Sequence, residues 1–292
     1  MSAHKSADAA ALADSSRSLL SKVYVSDLVV ENCLAHAFIT EKEEVMGVLL
    51  GTIELEEGTP AARVPGSDHN SRDGNSKVAK VWSSYVMDRS VRLSDRVEVA
   101  AEMLINAAAE AERLSVEINQ PTRVIGWYHS HPQITQYPSI VDLNSQKQYQ
   151  QMESGWVGLI FSLFHTDANS KGTCYIHCFQ TGANDRHVKV PLVICSPVDL
   201  GLKTFVGSGQ PQMLTVLMRE IQSAVSHVRE RSDNDLMAMN AALGLQQAQL
   251  FTFERLLLEP MAKQLQWCSL PHLKSEVKRL EDELSLRTKT GS

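Results

Sequence analysis

The sequence predicts an α/β fold in which a mixed β-sheet is flanked by helices and followed by a helical arm. Short apolar segments of strand length are interspersed with amphipathic helical patterns over the first two thirds of the chain. Several strand segments follow one another without an intervening long helix, so the sheet is predicted to be mixed and not doubly wound. Beyond Pro197 the pattern changes to long helices with leucines three and four residues apart.

Three regions are expected along the chain. Residues 1–22 are rich in Ala and Ser and lack the continuous apolar stretch of a secretory signal, so we expect a disordered tail. Residues 23–198 are expected to form the α/β domain, and residues 199–292 the helical arm. The boundary is placed near residue 200 because the apolar pattern changes there from strand-like to helical.

Each element of the domain is predicted from its own pattern. The helical segments have a capping residue such as Ser26 or apolar side chains at helical spacing, and they are 26–40, 97–117 and 140–152. The strand segments are short and apolar, and they are 44–53, 78–88, 122–130, 156–164, 172–179 and 186–195. Residues 56–76 contain many Gly, Pro, Ser, Asp and Asn residues, which predicts an exposed and mobile loop.

The arm is predicted to be helical with two proline breaks. Its helices are predicted at 210–231 and 242–287, and the breaks in the second at Pro260 and Pro271. Two narrow leucine-rich stripes, at 214–228 and 273–284, follow helical spacing and need a partner helix. That partner is either the other stripe of the same chain or a helix of another protein, and the pattern leaves both open.

Composition excludes several classes of partner. A formal net charge of −6 and the absence of a dense Lys/Arg segment argue against a nucleic-acid partner. The longest apolar runs fall far short of the ~20 residues that span a bilayer, so no membrane segment is expected. Five cysteines at scattered positions do not form the pattern of a disulfide framework, which favours a reducing compartment.

The densest chemical signal is an H-x-H-P-x6-S-x-x-D pattern formed by His129, His131, Pro132, Ser139 and Asp142. Two imidazoles and one carboxylate are the ligand set of a catalytic zinc site, which keeps its fourth position for water. Side chains two residues apart on a strand point to the same side, so both histidines can reach one ion. Pro132 ends the strand pairing, and a turn and a helix start can bring Asp142 back as third ligand. Ser139 and Asp142 could instead be an ordinary helix cap, which is compatible with ligation because a cap holds both side chains in place.

This pattern resembles the motif of the JAMM (MPN+) zinc metalloproteases, whose upstream carboxylate and small-residue strand resemble Glu44–Gly51. Sequence alone leaves Glu41, Glu43 and Glu44 as candidates for that carboxylate, and the resemblance selects Glu44. It implies a JAMM/MPN domain with one Zn²⁺ per chain, held by the two histidines and the aspartate of the motif. Zinc lowers the pKa of a bound water to about 7. The resemblance further implies that Glu44 acts as general base and then general acid, and that Ser139 stabilises the oxyanion.

Within this family the resemblance extends to one branch, the lysine-63-specific deubiquitinases of the cytoplasmic BRISC complex and of a nuclear DNA-damage complex. The matching stretches are Thr40–Gly47, Asp95–Glu98, Glu110–Leu114, Val124–Ile125 and Val157–Ser162. The resemblance implies hydrolysis of lysine-63-linked ubiquitin chains, a role in DNA repair, and location in the nucleus and cytoplasm. It also implies a hetero-oligomer with a pseudo-JAMM scaffold of the Abraxas type, bound partly through the helical arm.

Two other functions remain open. One is a scaffold subunit with a vestigial metal site, against which the five intact motif residues weigh; the other is an isopeptidase for a different ubiquitin-like modifier. Cys174, His177 and Cys178 could suggest a second zinc cluster. Strand alternation, however, places His177 on the face opposite to both cysteines, so a buried strand is predicted there instead.

Overall fold

The structure, a computed structural model, describes residues 19–57, 75–87, 101–166, 172–202, 210–231, 235–264, 266 and 270–290. Residues 1–18 of the expected tail and residues 58–74 of the predicted loop lie outside the described residues. The four end residues of that loop segment belong to a ladder between two strands, in which Glu56 pairs with Ser76 and Glu57 with Asn75. The loop prediction was therefore wrong at both of its ends.

Eight strands and seven α-helices make up the described part of the chain. The strands are β1 (Lys22–Ser26), β2 (Met46–Glu57), β3 (Asn75–Val86), β4 (Arg123–Pro132), β5 (Val157–Thr166), β6 (Gly172–Thr181), β7 (His187–Lys189) and β8 (Leu192–Cys195). The helices are α1 (Asp27–Ala37), α2 (Ala101–Glu117), α3 (Ile140–Met152), α4 (Gln210–Arg231), α5 (Leu236–Phe253), α6 (Glu259–Gln264) and α7 (Leu270–Thr290). The three helices predicted in the domain are confirmed; the first is shorter than predicted at both ends, and residues 97–100 of the second lie outside the described residues.

All eight strands form one mixed sheet in the order β7-β6-β5-β4-β2-β3-β1-β8. β1 runs parallel to β3 and β8, and β4 runs parallel to β5, whereas the other neighbours are antiparallel. The structure therefore confirms the mixed α/β fold.

The two edge strands, β7 and β8, are separated in the chain by Val190 and Pro191 alone. An extended residue spans only about 3.5 Å, so the sheet curls until its two edges lie close together. Val190 donates its N–H to Cys178 of β6, while Pro191 accepts from Val23 of β1. The single strand predicted at 186–195 was wrong, because this segment pairs with both edges and Pro191 has no N–H for a continuous ladder.

β4 lies in the middle of the sheet and is buried from Ile125 to His131. Its side chains alternate between two apolar layers. Tyr128 faces the layer that contains α1, and Trp127 faces the layer that contains α2. Since His129 and His131 follow Trp127 at two-residue steps, they lie on its side of the sheet.

The first helix of the arm packs onto the domain. Met213, Val216 and Leu217 of α4 join a buried cluster with α1 and β3, which also contains Phe253 at the end of α5. The second stripe remains outside this cluster. Its apolar side chains on α7 are about half exposed, and they are Leu273, Val277, Leu280 and Leu284. In the described residues the two stripes thus have different environments.

The chain stays helical through Pro260, where a break was predicted. A π-helical turn at Glu254–Leu258 directly precedes the helix that contains this proline. A wider turn of this kind leaves room where the ring would otherwise meet a backbone carbonyl. Pro271, in contrast, is the second residue of α7, where its missing N–H costs nothing. Within the described residues, none of the helices has the length and apolarity that crossing a membrane requires.

Candidate metal centre

The two motif histidines converge at the end of β4. Their Nε2 atoms lie 3.0 Å apart, and each residue is only 2% exposed. Ser130, between them, points to the other side of the strand and is fully buried. The structure therefore confirms that the alternation of an extended strand brings both imidazoles to one point.

Asp142 reaches the same point from the first turn of α3. Its carboxylate oxygens lie 3.5 Å from His129 Nε2 and 3.6 Å from His131 Nε2. The helix begins with a capping box, in which Ser139 donates its N–H to the Asp142 carboxylate and accepts the Asp142 N–H on its hydroxyl. The cap and the site coincide: the interaction that starts the helix also orients the carboxylate.

The general-base candidate lies on the open side of this group. Glu44 Oε1 is 3.9 Å from His131 Nε2, and the Glu44 side chain is 38% exposed. The next residue, Val45, donates its N–H to the Ser130 hydroxyl at 2.9 Å, and the Ser130 N–H donates to the Val45 carbonyl at 2.9 Å. This pair of bonds ties the segment just before β2, which contains Glu44, to the strand that contains the histidines.

Ser139 is exposed at the rim of the site. Its backbone and hydroxyl bonds to Asp142 hold it beside the metal-ligand candidates without placing it among them. All five residues predicted from the sequence are thus brought into one region, three as a compact group and Glu44 and Ser139 at its border.

A second set of contacts orients the imidazoles. His131 Nδ1 lies 2.6 Å from the Thr135 carbonyl, which can only accept, so this nitrogen carries the proton and leaves the Nε2 lone pair free. His129 stacks on Trp127 with ring centroids 4.6 Å apart. Trp127 in turn donates its indole N–H to Gln146 of α3 at 2.7 Å. Helix α3, which carries Asp142, is therefore fastened to the strand that carries the histidines.

The environment shifts the pKa values of His131 and Asp142. Burial alone would lower the pKa of His131, but its hydrogen bonds to Asp142 and Thr135 and the charges of Glu44 and Asp142 outweigh burial and raise it. Burial alone would raise the pKa of Asp142, but hydrogen bonds with both imidazoles and with Ser139 hold it well below its usual range. Asp142 is therefore ionised at neutral pH, as a metal ligand must be.

The donor atoms fit a small tetrahedral cation. Around an ion such as zinc, with bonds of about 2.0–2.1 Å, tetrahedral ligand atoms are separated by roughly 3.4 Å. The separations between the three donor side chains are 3.0, 3.5 and 3.6 Å. Two lone pairs and one negative charge therefore surround one point at suitable distances. Within the described residues this is the one group of three potential ligands that could hold a metal ion.

Sequence reasoning missed several residues that hold the site together. Tertiary hydrogen bonds to the site are made by Ser130, Thr135 and Gln146. No local sequence pattern identifies these residues. His177 was predicted to lie in a buried strand, and its partner on the neighbouring strand is His187. Their Nε2 atoms lie 2.6 Å apart on β6 and β7, a contact that spacing in the sequence does not reveal.

The strand predicted at Cys174–Cys178 is confirmed as part of β6. Cys178 is buried and Cys174 exposed, and the four described cysteines are free thiols. The two cysteines and His177 do not form one of the metal-capable groups of the described residues. The strand was predicted to be buried; this is confirmed for His177 and Cys178 and wrong for Cys174, which is exposed.

Known proteins match the part of the chain that contains this site. The profile of the family described as JAB1/Mov34/MPN/PAD-1 ubiquitin protease matches residues 18–155. Several similar curated proteins share the name "Lys-63-specific deubiquitinase BRCC36". That of Camponotus floridanus is 40% identical over 184 residues, which cover 63% of this chain and 64% of the relative. That of Rattus norvegicus is 38% identical over 184 residues, which cover 58% of this chain and 62% of the relative. That of Homo sapiens is 44% identical over 156 residues, which cover 51% of this chain and 49% of the relative.

The chain thus spans less than two thirds of the length of these relatives. The matched residues nevertheless contain the structural elements from β1 to α3, and with them all five residues of the site. The mixed curled sheet, the buried His-x-His strand and the capped helix with its aspartate agree with the resemblance noted in the sequence. Over residues 18–155, this chain is similar to the JAB1/Mov34/MPN/PAD-1 ubiquitin protease family.

Proposed function

We propose that this protein is a zinc-dependent deubiquitinase that hydrolyses isopeptide bonds in ubiquitin chains, with a preference for lysine-63 linkages. The observation that carries the proposal is the exposed Glu44 carboxylate beside a buried group of two imidazoles and one carboxylate. A metalloprotease needs this combination of metal ligands and a nearby proton acceptor. The name shared by the relatives supports the ubiquitin substrate and the linkage.

Each side chain has a proposed task. His129, His131 and Asp142 would hold one Zn²⁺, which would lower the pKa of a bound water to about 7 and so supply a nucleophile at neutral pH. Glu44 accepts the proton of the attacking water and later delivers a proton to the departing lysine amine. Its partial exposure suits this task because a carboxylate at the open side can meet both water and substrate. Ser139, at the rim, donates to the oxyanion of the tetrahedral intermediate.

The test combines metal analysis with cleavage of ubiquitin polymers of each linkage by the full-length chain, with and without a scaffold partner. We expect one zinc per chain and preferential cleavage of lysine-63-linked polymers. Glu44→Gln should keep the zinc and lose about 10²–10⁴-fold in turnover, the usual contribution of a general acid–base group. Asp142→Asn should lose both zinc and turnover.

A matched control is available three residues upstream of the base. Glu41 is an exposed glutamate of the same segment, so Glu41→Gln removes the same charge and should leave turnover unchanged. A zinc-loaded Glu44→Gln protein with full turnover would remove Glu44 from the mechanism. Absence of both zinc and cleavage, even with a scaffold supplied, would favour the alternative of a non-catalytic scaffold subunit. Cleavage of a different modifier alone would change the substrate but keep the chemistry.

We also propose a helical protein partner of the Abraxas type, bound through the arm in a hetero-oligomer. The support is the apolar stripe of α7, whose Leu273, Val277, Leu280 and Leu284 are about half exposed or more at three- and four-residue spacing. Replacing Leu280 by aspartate should weaken assembly in pull-down and sedimentation experiments while zinc remains bound. Lys278→Asp on the same helix is a control for the added charge. Location in both nucleus and cytoplasm is part of the same proposal, and imaging of the tagged chain tests it.

A further inference from the structure

Strand β5 contains an irregularity next to the metal-ligand candidates. The register of its pairing with β6 shifts between Ser162 and His165, and Phe164 has a φ of 62°. A bulky side chain rarely adopts this left-handed conformation, so the surrounding structure must hold it there. Phe164 packs edge-on against Phe38, with ring centroids 5.5 Å apart. The consequence is that His165 turns back toward Ser162 in its own strand.

A short relay of hydrogen bonds starts at this bulge. Ser162 is fully buried, and its hydroxyl donates to the Ile134 carbonyl at 2.7 Å. His165 Nε2 lies 2.6 Å from the same hydroxyl oxygen. The hydroxyl has one proton, which the carbonyl receives, so the imidazole must donate its Nε2–H to the hydroxyl oxygen. The direction of both bonds is thereby fixed from His165 through Ser162 to Ile134.

The segment that receives this relay also orients a ligand. Gln133 donates its N–H to the Leu163 carbonyl at 2.9 Å, which is a second attachment to the bulged strand. Thr135, the residue after Ile134, accepts the Nδ1–H of His131 at 2.6 Å. The bulge therefore holds residues 133 and 134, and the carbonyl of the following residue selects the tautomer and orientation of His131.

We propose that His165 is a positioning residue for the metal centre. Acting through Ser162, it holds the Ile134 carbonyl and thereby fixes the next carbonyl, that of Thr135, which orients His131 toward the ion. His165 does not touch the candidate ligands itself. The proposal rests on the metal-binding part of the proposed function and not on the ubiquitin substrate. Its physical basis is that the outer partners of a ligating histidine set the ring orientation, and their loss typically lowers metal affinity about 10–100-fold.

Two substitutions at one position separate hydrogen bonding from packing. His165 is only partly buried, so neither variant has to unfold the protein. His165→Leu keeps an apolar side chain but has no donor, and we expect about tenfold weaker Zn²⁺ binding in competition with a chelator. His165→Gln places an amide N–H near the position of Nε2–H and should bind Zn²⁺ as the wild type does. Tyr175→Phe is the control, because the ring centroids of Tyr175 and His165 lie 5.9 Å apart and Tyr175 takes no part in the hydrogen-bond relay.

A second readout needs no ion. In the metal-free protein, the long-range ¹H–¹⁵N spectrum should show His131 with its proton on Nδ1, protected from exchange, in the wild type and in His165→Gln. His165→Leu should lose this protection. Ser162→Ala should have the same effect, and the double variant should be no worse than either single one, because both residues belong to one relay.

The proposal is overturned if His165→Leu keeps wild-type zinc affinity and His131 protection, or if His165→Gln is as impaired as His165→Leu. Both readouts are made without substrate. If the variants show the expected zinc affinities and His131 protection but the protein cleaves no ubiquitin polymer, the proposed deubiquitinase function is contradicted and the role of His165 is not.

Discussion

Replacement of Ser130 by alanine should weaken both folding and turnover. Ser130 and Val45 are fully buried, and the Ser130 hydroxyl accepts the Val45 N–H at 2.9 Å. Without this hydroxyl, a backbone N–H remains in the core with no acceptor and no access to water. Leaving such a group unsatisfied costs about 1–3 kcal/mol. We therefore expect the free energy of unfolding, measured by urea titration of the metal-free protein, to fall by about that amount.

The effect on turnover follows from the position of Val45 beside Glu44. Movement of the segment just before β2 displaces the Glu44 carboxylate from His131. A displacement of about 1 Å in a catalytic group can lower the rate by ~10²-fold. Ser115→Ala is a matched control far from the site. The Ser115 hydroxyl accepts the Thr122 N–H at 2.8 Å, so this variant loses an equivalent bond and should be destabilised with normal turnover per zinc-loaded molecule. Equal turnover in Ser130→Ala and Ser115→Ala would refute the reasoning.

Three further predictions concern the frame around the site. Leu217→Ala should lower the free energy of unfolding by about 2–5 kcal/mol, because Leu217 is fully buried between α4 and the domain; a loss below about 1 kcal/mol in chemical unfolding would mean that α4 is only loosely attached. Gln146→Leu should leave the buried Trp127 indole N–H without its acceptor, costing about 1–3 kcal/mol, while the Trp156 carbonyl still accepts from Gln180; normal stability in urea would contradict it. Burial and the neighbouring His187 lower the pKa of His177 to about 4 from 6.5, so the unfolded state binds the extra proton first and stability should fall as pH drops from about 6.5 to 4. Urea titrations at pH 7 and pH 5 should show a smaller loss in His177→Gln than in the wild type.

The sequence was sufficient to predict that the three metal-ligand candidates lie together, because their arrangement is local. His129 and His131 need only an extended strand, and Asp142 needs only a helix that Ser139 starts. Strand periodicity and capping preferences depend on neighbouring residues, so they can be recognised without knowledge of the fold. The position of Glu44 is different. It depends on the pairing of β2 with β4, and family resemblance, not spacing, selected it from three nearby glutamates.

What could not be predicted depends on distant parts of the chain. The bond between Ser130 and Val45 joins residues 85 positions apart, and a serine in the middle of a strand gives no sign of its partner. Residues 186–195 have the composition of one strand, and their division between two edges follows from how far the whole sheet curls. Pro260 was expected to end a helix because the cost of a proline in a regular helix is local. The π-helical turn before it changes that local geometry.

The two-residue link between β7 and β8 also bears on how the protein is made. Until Val190 and Pro191 have joined the fold, β6 and β1 each present a row of unpaired backbone groups, which is a template for intermolecular pairing. During synthesis this hazard lasts until residue 195 has left the ribosome. Truncated products that stop before residue 187 should therefore aggregate although every candidate ligand is present, and a chaperone would be needed for longest at this stage of translation.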